Sequence, residues 1–373
     1  MLSIWERNEF INYDHIIIGS GIVGLTTAYY LKKKYPTKSV LILEQGLLPS
    51  GASTKNAGFA CMGSLTEILD DLKTSSEEEV LQLFLLRKKG LERLISILGH
   101  EKMGYKTNGS YELIFEQEKS ALEKIDYCNQ LLRSELKQDA FKINYDKIEE
   151  FGFKGLHSLV ENTCEGELDT GLMMKHLIQL VTSMGVELKT GCQVVSLQDN
   201  TNEVEVVCQN PVLHNELIFK ANKVFICTNA FAQKLLPNID VTPGRGQVLI
   251  TKPIQGLKFK GIFHFEEGFY YFREYKGCVL IGGGRNIDVQ TETTTEFELN
   301  EQIQHSLIEK LQSVILPHQS FEVDLKWTGI MAFGKTKRPI ISQHSSNILI
   351  GVRMGGMGVA IGSEVGYTLA EMV

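Results

Sequence analysis

Three glycines and one carboxylate near the start of the chain have the types and spacing needed to hold a dinucleotide. Gly19, Gly21 and Gly24 form a Gly-x-Gly-x-x-Gly pattern after an apolar run, and Glu44 ends a second apolar run roughly 20 residues later. The first glycine permits a tight turn, the second lets backbone approach a pyrophosphate, and the third lets a helix pack closely on the strand. Free N–H groups at the helix start favour phosphate, and Glu44 can accept hydrogen bonds from a ribose. Since no second complete fingerprint follows, we expect one NAD(P) or one FAD.

Other patterns that could carry chemistry are weaker. Residues 329–336 match the Gly-x-x-x-x-Gly-Lys-Thr phosphate loop, which needs a helix that begins at Lys335. Pro339 opposes such a helix and the apolar pair after it favours a strand, so we interpret the match as a coincidence. Neither paired metal ligands nor a Gly-x-Ser-x-Gly elbow occurs in the sequence, so we expect no metal and no serine nucleophile.

Composition and charge argue against several kinds of partner. The 373 residues suffice for two domains, and the formal net charge of −7 disfavours nucleic acid and anionic membrane surfaces. The 7 cysteines are scattered without a Cys-x-x-Cys pair, which is typical of reduced thiols. The N-terminal residues resemble no signal peptide, and no stretch has the length of a membrane helix. We therefore expect a cytoplasmic protein without a membrane span.

The hydrophobic pattern predicts the elements that position these groups. Residues 14–44 are typical of a β-α-β unit, and apolar residues at helical spacing predict helices at 77–98, 118–137, 170–184 and 296–316, with a last helix from 359 onward. Strands are predicted at 186–188, 194–197, 223–230, 269–272, 278–281 and 347–352, and paired strands at 104–116. The first and last segments are expected to share one domain, with middle segments inserted as a second.

Several side chains in the later segments are candidates for a ligand pocket. Strand alternation places Tyr270 on the opposite face from Arg273, so at most one of them faces a given pocket. Arg245 lies between two glycines beside an apolar strand, which favours an anchored arginine over a surface one. Trp327 is expected in the core or at a domain seam. The glycine cluster at 355–358 precedes a helix and lets backbone approach a ligand.

Six short segments occur together and in order, at 19–24, 51–58, 228–230, 243–247, 280–284 and 355–358. This set resembles the D-amino-acid oxidase family of FAD-dependent oxidoreductases, in the branch of glycine oxidase, sarcosine oxidase and amino-acid dehydrogenases. The resemblance spans nearly the whole chain and favours FAD over NAD(P). It implies an α/β (α+β) fold in which a Rossmann-like FAD-binding domain, residues 1–85, 151–242 and 330–373, carries an inserted β-rich substrate domain, residues 86–150 and 243–329.

The resemblance also implies the residues that hold the cofactor. These would be the fingerprint, the loop after Glu44, the adenine-side strand, a buried strand end and the last glycine turn, namely Gly19, Ser20, Gly21, Ile22, Val23, Gly24, Glu44, Gln45, Ser53, Thr54, Lys55, Asn56, Ala57, Val194, Thr228, Asn229, Ala230, Gly355, Gly356, Met357, Gly358 and Val359. Tyr270, Arg245 and Met331 would line the substrate pocket.

Two departures from the family pattern bear on function. Members that oxidise amino acids place an arginine in a Trp-x-Gly-x-Arg segment to bind the substrate carboxylate, whereas this chain has Met331 at that position. Arg245 or Arg353 could supply that charge from another direction, or the substrate could carry its carboxylate far from the reacting carbon. No cysteine follows Cys278, and Asn56 stands where histidine-linked relatives carry histidine, so the FAD is expected to be non-covalent.

The resemblance implies hydride transfer from a CH–NH group of an amine or N-substituted amino acid to flavin N5, with the electron acceptor unknown. The alternatives are an FAD-dependent 2-hydroxy-acid dehydrogenase of the same fold, an NAD-dependent dehydrogenase that uses the same fingerprint, and a flavin-holding relative without turnover.

Overall fold

The computed structural model describes residues 2–210 and 215–373; Met1 and residues 211–214, which fall within the predicted FAD-binding domain, lie outside the described residues. The strands, in chain order, are β1 Asn12–Ile18, β2 Val40–Leu43, β3 Phe59–Ala60, β4 Ser110–Ile114, β5 Phe141–Ile143, β6 Ser158–Asn162, β7 Gly166–Glu167, β8 Val186–Lys189, β9 Gln193–Asp199, β10 Val204–Asn210, β11 Asn215–Ile226, β12 Thr242–Thr251, β13 Ile262–Phe265, β14 Tyr270–Tyr275, β15 Cys278–Gly283, β16 Val323–Phe333, β17 Ile340–Gln343 and β18 Ile348–Val352.

The α-helices, in chain order, are α1 Ile4–Glu9, α2 Ile22–Lys34, α3 Ala52–Lys55, α4 Leu65–Asp71, α5 Glu77–Met103, α6 Ile125–Leu136, α7 Asp146–Phe151, α8 Thr170–Ser183, α9 Glu301–Lys310 and α10 Gly358–Glu371. Short 3-10 segments lie at Glu116–Lys124, Asn229–Lys234 and Arg285–Ile287, and a π-helical turn, Leu311–Ile315, extends α9. None of the described helices combines the length and apolar character needed to cross a bilayer.

The first sheet is mostly parallel and carries the sequence fingerprint. Its main path is β17-β18-β11-β1-β2-β8, and β10 and β9 continue from β11 as antiparallel strands. The strands β1, β2, β8, β11 and β18 pair in parallel, so their carboxyl ends meet at one edge. Helices α2, α5, α8 and α10 contribute to the apolar core on one face of this sheet. This is the Rossmann-like domain that the sequence predicts.

The second sheet is mostly antiparallel and forms the inserted β-rich domain. Its order is β16-β12-β15-β14-β13-β4-β6-β5. One face packs on α9 and on a cluster of phenylalanine rings, while the other faces the first domain. Trp327 of β16 donates a hydrogen bond to the Lys55 carbonyl, 2.9 Å away, and so joins the two domains. The side chain therefore lies at the domain seam, one of its two expected places.

Two of the predicted domain boundaries need correction. Strand β6 pairs with β4 and β5 in the second sheet, so residues 158–162 belong to the substrate domain although the prediction assigned 151–242 to the FAD-binding domain. Helix α5 packs in the core of the first domain with α8 and α10, so residues 86–103 belong there and not to the substrate domain. Both errors have one cause, because strand partners and helix contacts that are distant in sequence leave no mark in local composition.

Some predicted elements also differ in detail. Residues 104–116 hold one strand, β4, because its partners β6 and β13 are distant in sequence. The helix predicted at 118–137 divides into a 3-10 segment and α6. The helix predicted from 296 begins at Glu301, where the Asn300 side chain accepts hydrogen bonds from the first free N–H groups. Residues 329–333 lie in β16 and 340–343 in β17, as Pro339 and its apolar neighbours indicate.

Candidate active site

A cleft of about 560 Å³ lies between the two domains. It opens at the carboxyl ends of β1 and β2, where ligands bind in open α/β sheets. Most of the predicted cofactor residues line it, namely Gly19, Ser20, Gly21, Ile22, Val23, Glu44, Gln45, Ser53, Lys55, Asn56, Ala57, Val194, Thr228, Asn229, Ala230, Gly355, Gly356, Met357, Gly358 and Val359. Residues from six separate stretches of the chain therefore converge on one cleft.

The glycine turn has the geometry that its spacing predicts. Gly19 has a φ of +104°, and a Cβ on Gly24 would lie 2.0 Å from the Gly19 carbonyl oxygen, so both positions require glycine. Gly24 does not line the cleft but lets α2 begin directly against β1. The Ile22 N–H donates to Ser53 Oγ at 3.0 Å, which joins the start of α2 to the loop after Glu44.

Glu44 is buried at the end of β2 and held in one orientation. Its Oε2 accepts hydrogen bonds from the Ser20 N–H at 3.1 Å and the Ser20 hydroxyl at 2.7 Å, and its Oε1 accepts one from the Gly46 N–H at 3.0 Å. Thr228, on the other side of β1, has a buried hydroxyl oxygen without a partner among the described residues. These groups fit the polar parts of FAD. Glu44 can accept hydrogen bonds from the ribose, the Thr228 hydroxyl has no partner among the described residues, and the start of α2 beside glycine favours phosphate.

Thr54 is a correction to the predicted cofactor residues. Its side chain is exposed and its hydroxyl donates to the Pro49 carbonyl oxygen at 2.6 Å. Thr54 does not line the cleft and instead closes the turn before α3. Its neighbours Ser53 and Lys55 do line it, because successive residues of this short helix point in different directions.

Tyr270 is also a correction, since its side chain turns away from the cleft. Its hydroxyl lies 2.9 Å from Ser306 Oγ of α9, and its ring stacks on Phe265 with centroids 5.0 Å apart. The next residue, Tyr271, lines the cleft, and burial raises the pKa of its hydroxyl to about 12. Tyr270 and Arg273 lie on opposite faces of β14, as expected, but the cleft lies on the face that carries Tyr271.

Arg245 is a third correction, because it does not line the cleft. It points to the other face of β12 and donates two hydrogen bonds to the fully buried Glu292, from Nη2 at 2.7 Å and from Nε at 3.0 Å. This hydrogen bonding by Glu292 raises the pKa of Arg245. Its charge is therefore neutralised inside the protein and is not offered to a substrate.

The other two candidate arginines also have internal partners. Arg273 is buried outside the cleft, where it donates to the Leu168 carbonyl at 2.8 Å and lies 3.3 Å from a carboxylate oxygen of Glu167. Arg353 lines the cleft but forms an ion pair with Asp240. Neither arginine presents an unneutralised charge to the cleft.

Met331 lines the cleft, where its side chain lies against the backbone of Gly246. A Cβ on Gly246 would lie 3.0 Å from Met331 Cε, so this wall is formed by backbone and a thioether. Tyr271, Val248 and Phe333 extend the same surface. This end of the cleft is largely apolar.

A small polar cavity of about 10 Å³ lies behind the cleft. His264 lines both spaces, and its Nε2 is buried without a partner among the described residues. Glu112 and Glu165 also line the small cavity; burial raises the pKa of Glu165 and raises that of Glu112 to about 7. The inner wall therefore holds a carboxyl group that titrates near neutral pH.

Sequence reasoning missed Arg285, Phe333 and His264, which line the cleft, and placed Tyr271, which also lines it, second to Tyr270. The signal for Arg285 was present, since it directly follows the glycines of the 280–284 segment. For Tyr271, only the register of β14 against β13 and β15 decides which face meets the first domain.

The fold and the cleft define an FAD-dependent oxidoreductase, and comparison with known proteins agrees. The family model described as "DAO: FAD dependent oxidoreductase" matches residues 14–372, so the chain belongs to this family. The predictions of FAD and of an oxidoreductase are thus confirmed, and the NAD-dependent alternative is not favoured. No group of three or more His, Cys, Asp or Glu side chains within residues 2–210 and 215–373 is arranged to hold a metal ion.

Individual relatives are distant but cover nearly the whole chain. Glycine oxidase of Bacillus subtilis (strain 168) is 20% identical over 369 residues, which covers 97% of this chain and 93% of the relative. The structure of glycine oxidase from Geobacillus kaustophilus has a TM-score of 0.78 at 18% identity and covers 97% of this chain and 95% of that one. The structure of L-proline dehydrogenase from P. horikoshii has a TM-score of 0.77 at 17% identity, and the match covers 97% of this chain and 93% of that one. At these identities the structural likeness establishes the fold.

Proposed function

We propose that the protein oxidises a CH–NH group of an amine or N-substituted amino acid, and that the substrate is not a simple free α-amino acid bound through a cation at position 331. Bound FAD would supply the hydride acceptor, flavin N5, for the carbon next to nitrogen. The observation that carries the proposal is Met331, an apolar side chain in the cleft where amino-acid-oxidising relatives place arginine.

Arg245 and Arg353, the two arginines predicted from the sequence as possible replacements for that charge, have internal carboxylate partners. Glu292 neutralises Arg245 and Asp240 neutralises Arg353. A carboxylate placed directly against the Met331 thioether and the glycine backbone would lose water without gaining an ion pair from position 331 itself, which is unfavourable. The cleft therefore favours a substrate whose reacting carbon, and not its carboxylate, lies against Met331.

The side chains around Met331 can bind and orient such a substrate. Val248 and Phe333 present apolar surface that excludes water from the reacting carbon, and Tyr271 adds an aromatic ring. The raised pKa of Tyr271 keeps its hydroxyl protonated near neutral pH, so it can donate a hydrogen bond. The relatives named as glycine oxidase and L-proline dehydrogenase support nitrogen-bearing substrates over 2-hydroxy acids.

An anaerobic screen of the purified holoenzyme tests this proposal. Secondary amines, primary amines, glycine, D-amino acids and 2-hydroxy acids are each added, and loss of the oxidised flavin absorbance is followed. We expect amines and N-substituted amino acids to bleach the flavin at lower concentrations than free α-amino acids do. The matched variant Met331→Arg should shift this preference toward α-amino acids. Saturable bleaching by 2-hydroxy acids alone, or by D-amino acids at micromolar concentrations in the native protein, would refute the proposal.

A further inference from the structure

Arg285 is an arginine of the cleft that no carboxylate in the described part of the chain neutralises. It follows β15 in the 3-10 segment Arg285–Ile287, and its guanidinium carbon lies 4.6 Å from the centroid of the Phe333 ring. Within the described residues it has no carboxylate oxygen inside 4.0 Å, and its polar contact is a long one, 3.5 Å from Nη2 to Thr293 Oγ1. Its Nε is buried with no partner in that same part of the chain.

Glu292 is the charged neighbour of Arg285, but its hydrogen-bonding capacity is used elsewhere. Its Oε1 accepts from Arg245 Nη2 at 2.7 Å and from Asn300 Nδ2 at 3.0 Å. Its Oε2 accepts from Arg245 Nε at 3.0 Å and from Gln247 Nε2 at 2.9 Å. Burial lowers the pKa of Arg285, and the charge of Glu292 only partly opposes this. The protein thus holds a partly desolvated cation without a fixed counter-charge, which is unfavourable unless a ligand supplies one.

The position of Arg285 connects it to the missing cation at Met331. A Cβ on Gly244 would lie 3.0 Å from Arg285 Nε, so the guanidinium lies beside the backbone of that glycine. Gly244 is the direct cross-strand partner of Met331 in the pairing of β12 with β16. Arg285 and Met331 also line the same cleft. Arg285 therefore brings a positive charge to the same cleft, beside the cross-strand neighbour of Met331 and not at position 331 itself.

We propose that Arg285 binds a carboxylate carried by the substrate, so that the substrate is an amine bearing an acidic group. The inference rests on the proposed function and adds the residue that recognises the acid. A guanidinium matches a carboxylate with two parallel N–H donors, and the Phe333 ring lies against this guanidinium, 4.6 Å from its carbon. The carboxylate lies toward Arg285 while the carbon next to nitrogen lies against Met331, which separates the acid from the reacting centre.

Binding of unreactive carboxylates to the holoenzyme tests this inference without turnover. Propionate and glutarate are titrated while the flavin absorbance spectrum is recorded, with propylamine and inorganic phosphate as comparison probes. Arg285→Met should weaken carboxylate binding by about 10- to 100-fold, the usual range for loss of a charged hydrogen-bonded pair. Arg285→Lys should recover part of that loss, and FAD content should match the native protein.

Lys234→Met is the control for a general charge effect. Lys234 is an exposed cation at the rim of the same cleft, with its ammonium 5.3 Å from the Phe231 ring centroid. This variant should bind propionate within a few-fold of the native protein. Native-like carboxylate binding by Arg285→Met, an equal loss in Lys234→Met, or tighter Arg285-dependent binding of phosphate than of propionate would each overturn the inference.

The same variants separate this inference from the proposed function. If carboxylate binding depends on Arg285 but no amine reduces the native flavin, the proposed function fails and the anion site stands. If amines reduce the flavin of the native protein and Arg285→Met equally, and carboxylates do not bind, the function stands and the anion site fails.

Discussion

Arg245 and Glu292 form a buried, two-point ion pair on the face of β12 that points away from the cleft. The two hydrogen bonds are 2.7 Å and 3.0 Å long, and both side chains are at most 3% exposed. An arginine between two glycines beside the cleft is thus a structural residue. Glu292 cannot also pair with Arg285, because its oxygens are already occupied.

Removal of Arg245 should lower the free energy of unfolding but should have little effect on ligand binding. Arg245→Met leaves Glu292 buried without its cation, and breaking a buried pair in this way costs about 3–5 kcal/mol. We expect a lower free energy of unfolding in denaturant, with propionate binding little changed in the folded fraction. The double variant Arg245→Met with Glu292→Leu should recover much of the loss. Native-like stability together with lost carboxylate binding would show that Arg245 contacts the ligand.

Two adjacent tyrosines should differ in what their hydroxyls do. Tyr271→Phe removes a hydroxyl from the cleft, so it should change the rate of anaerobic flavin reduction or the substrate concentration that gives half of that rate. Tyr270→Phe removes the contact with Ser306, so it should cost about 1 kcal/mol of stability and leave reduction unchanged. The two variants serve as controls for each other, and an effect on reduction in Tyr270→Phe alone would contradict the assignment.

FAD should be bound without a covalent bond and should depend on Glu44. Burial raises the pKa of the Cys227 thiol in the cleft to about 12, which keeps it protonated and unreactive toward the flavin. Acid precipitation should therefore leave the yellow colour in the supernatant. Glu44→Ala should weaken FAD retention by about 1.5–3 kcal/mol, measured as the dissociation constant in apoprotein titrations. Colour in the acid pellet, or unchanged FAD affinity in this variant, would contradict this account.

Glu112 should make stability fall as pH rises toward neutrality. Its folded-state pKa of about 7 exceeds its ordinary value of 4.5 because burial outweighs the hydrogen bonds from Ser64 and Thr66. Between these values the folded chain holds a proton that the unfolded chain has lost, so stability decreases by about 3 kcal/mol across the window. Glu112→Gln should remove this part of the pH dependence in denaturant unfolding from pH 4.5 to 8. An unchanged slope would show that Glu112 is ionised in the folded state.

The sequence predicted the first domain and its ligand end well, because the relevant signals are local. The strand, glycine turn, helix and acid of residues 14–44 follow one another directly, and each has one physical role. The substrate side was predicted less well because its geometry depends on long-range register. A shift of one residue in the register of β14 would exchange Tyr270 for Tyr271 at the cleft. Because both positions hold a tyrosine, the residue types do not indicate which one faces the cleft.

Partners distant in sequence explain the errors over arginine. Nothing near Arg245 in the sequence shows that Glu292, 47 residues later, neutralises it. Arg285 was overlooked because an arginine in a turn after three glycines is ordinarily expected to be exposed to solvent. Its position beside Gly244 becomes visible only when β12, β15 and β16 are placed side by side.

The most direct test of the proposed function is anaerobic single-turnover reduction of the holoenzyme flavin by its best amine substrate. Two forms of the amine are compared, one with hydrogen and one with deuterium on the carbon next to nitrogen. The proposal predicts that both forms bleach the flavin and that deuterium slows the bleaching, because the bond to that carbon breaks as hydride leaves. Bleaching at the same rate by both forms, or bleaching by 2-hydroxy acids and by no amine, would contradict it.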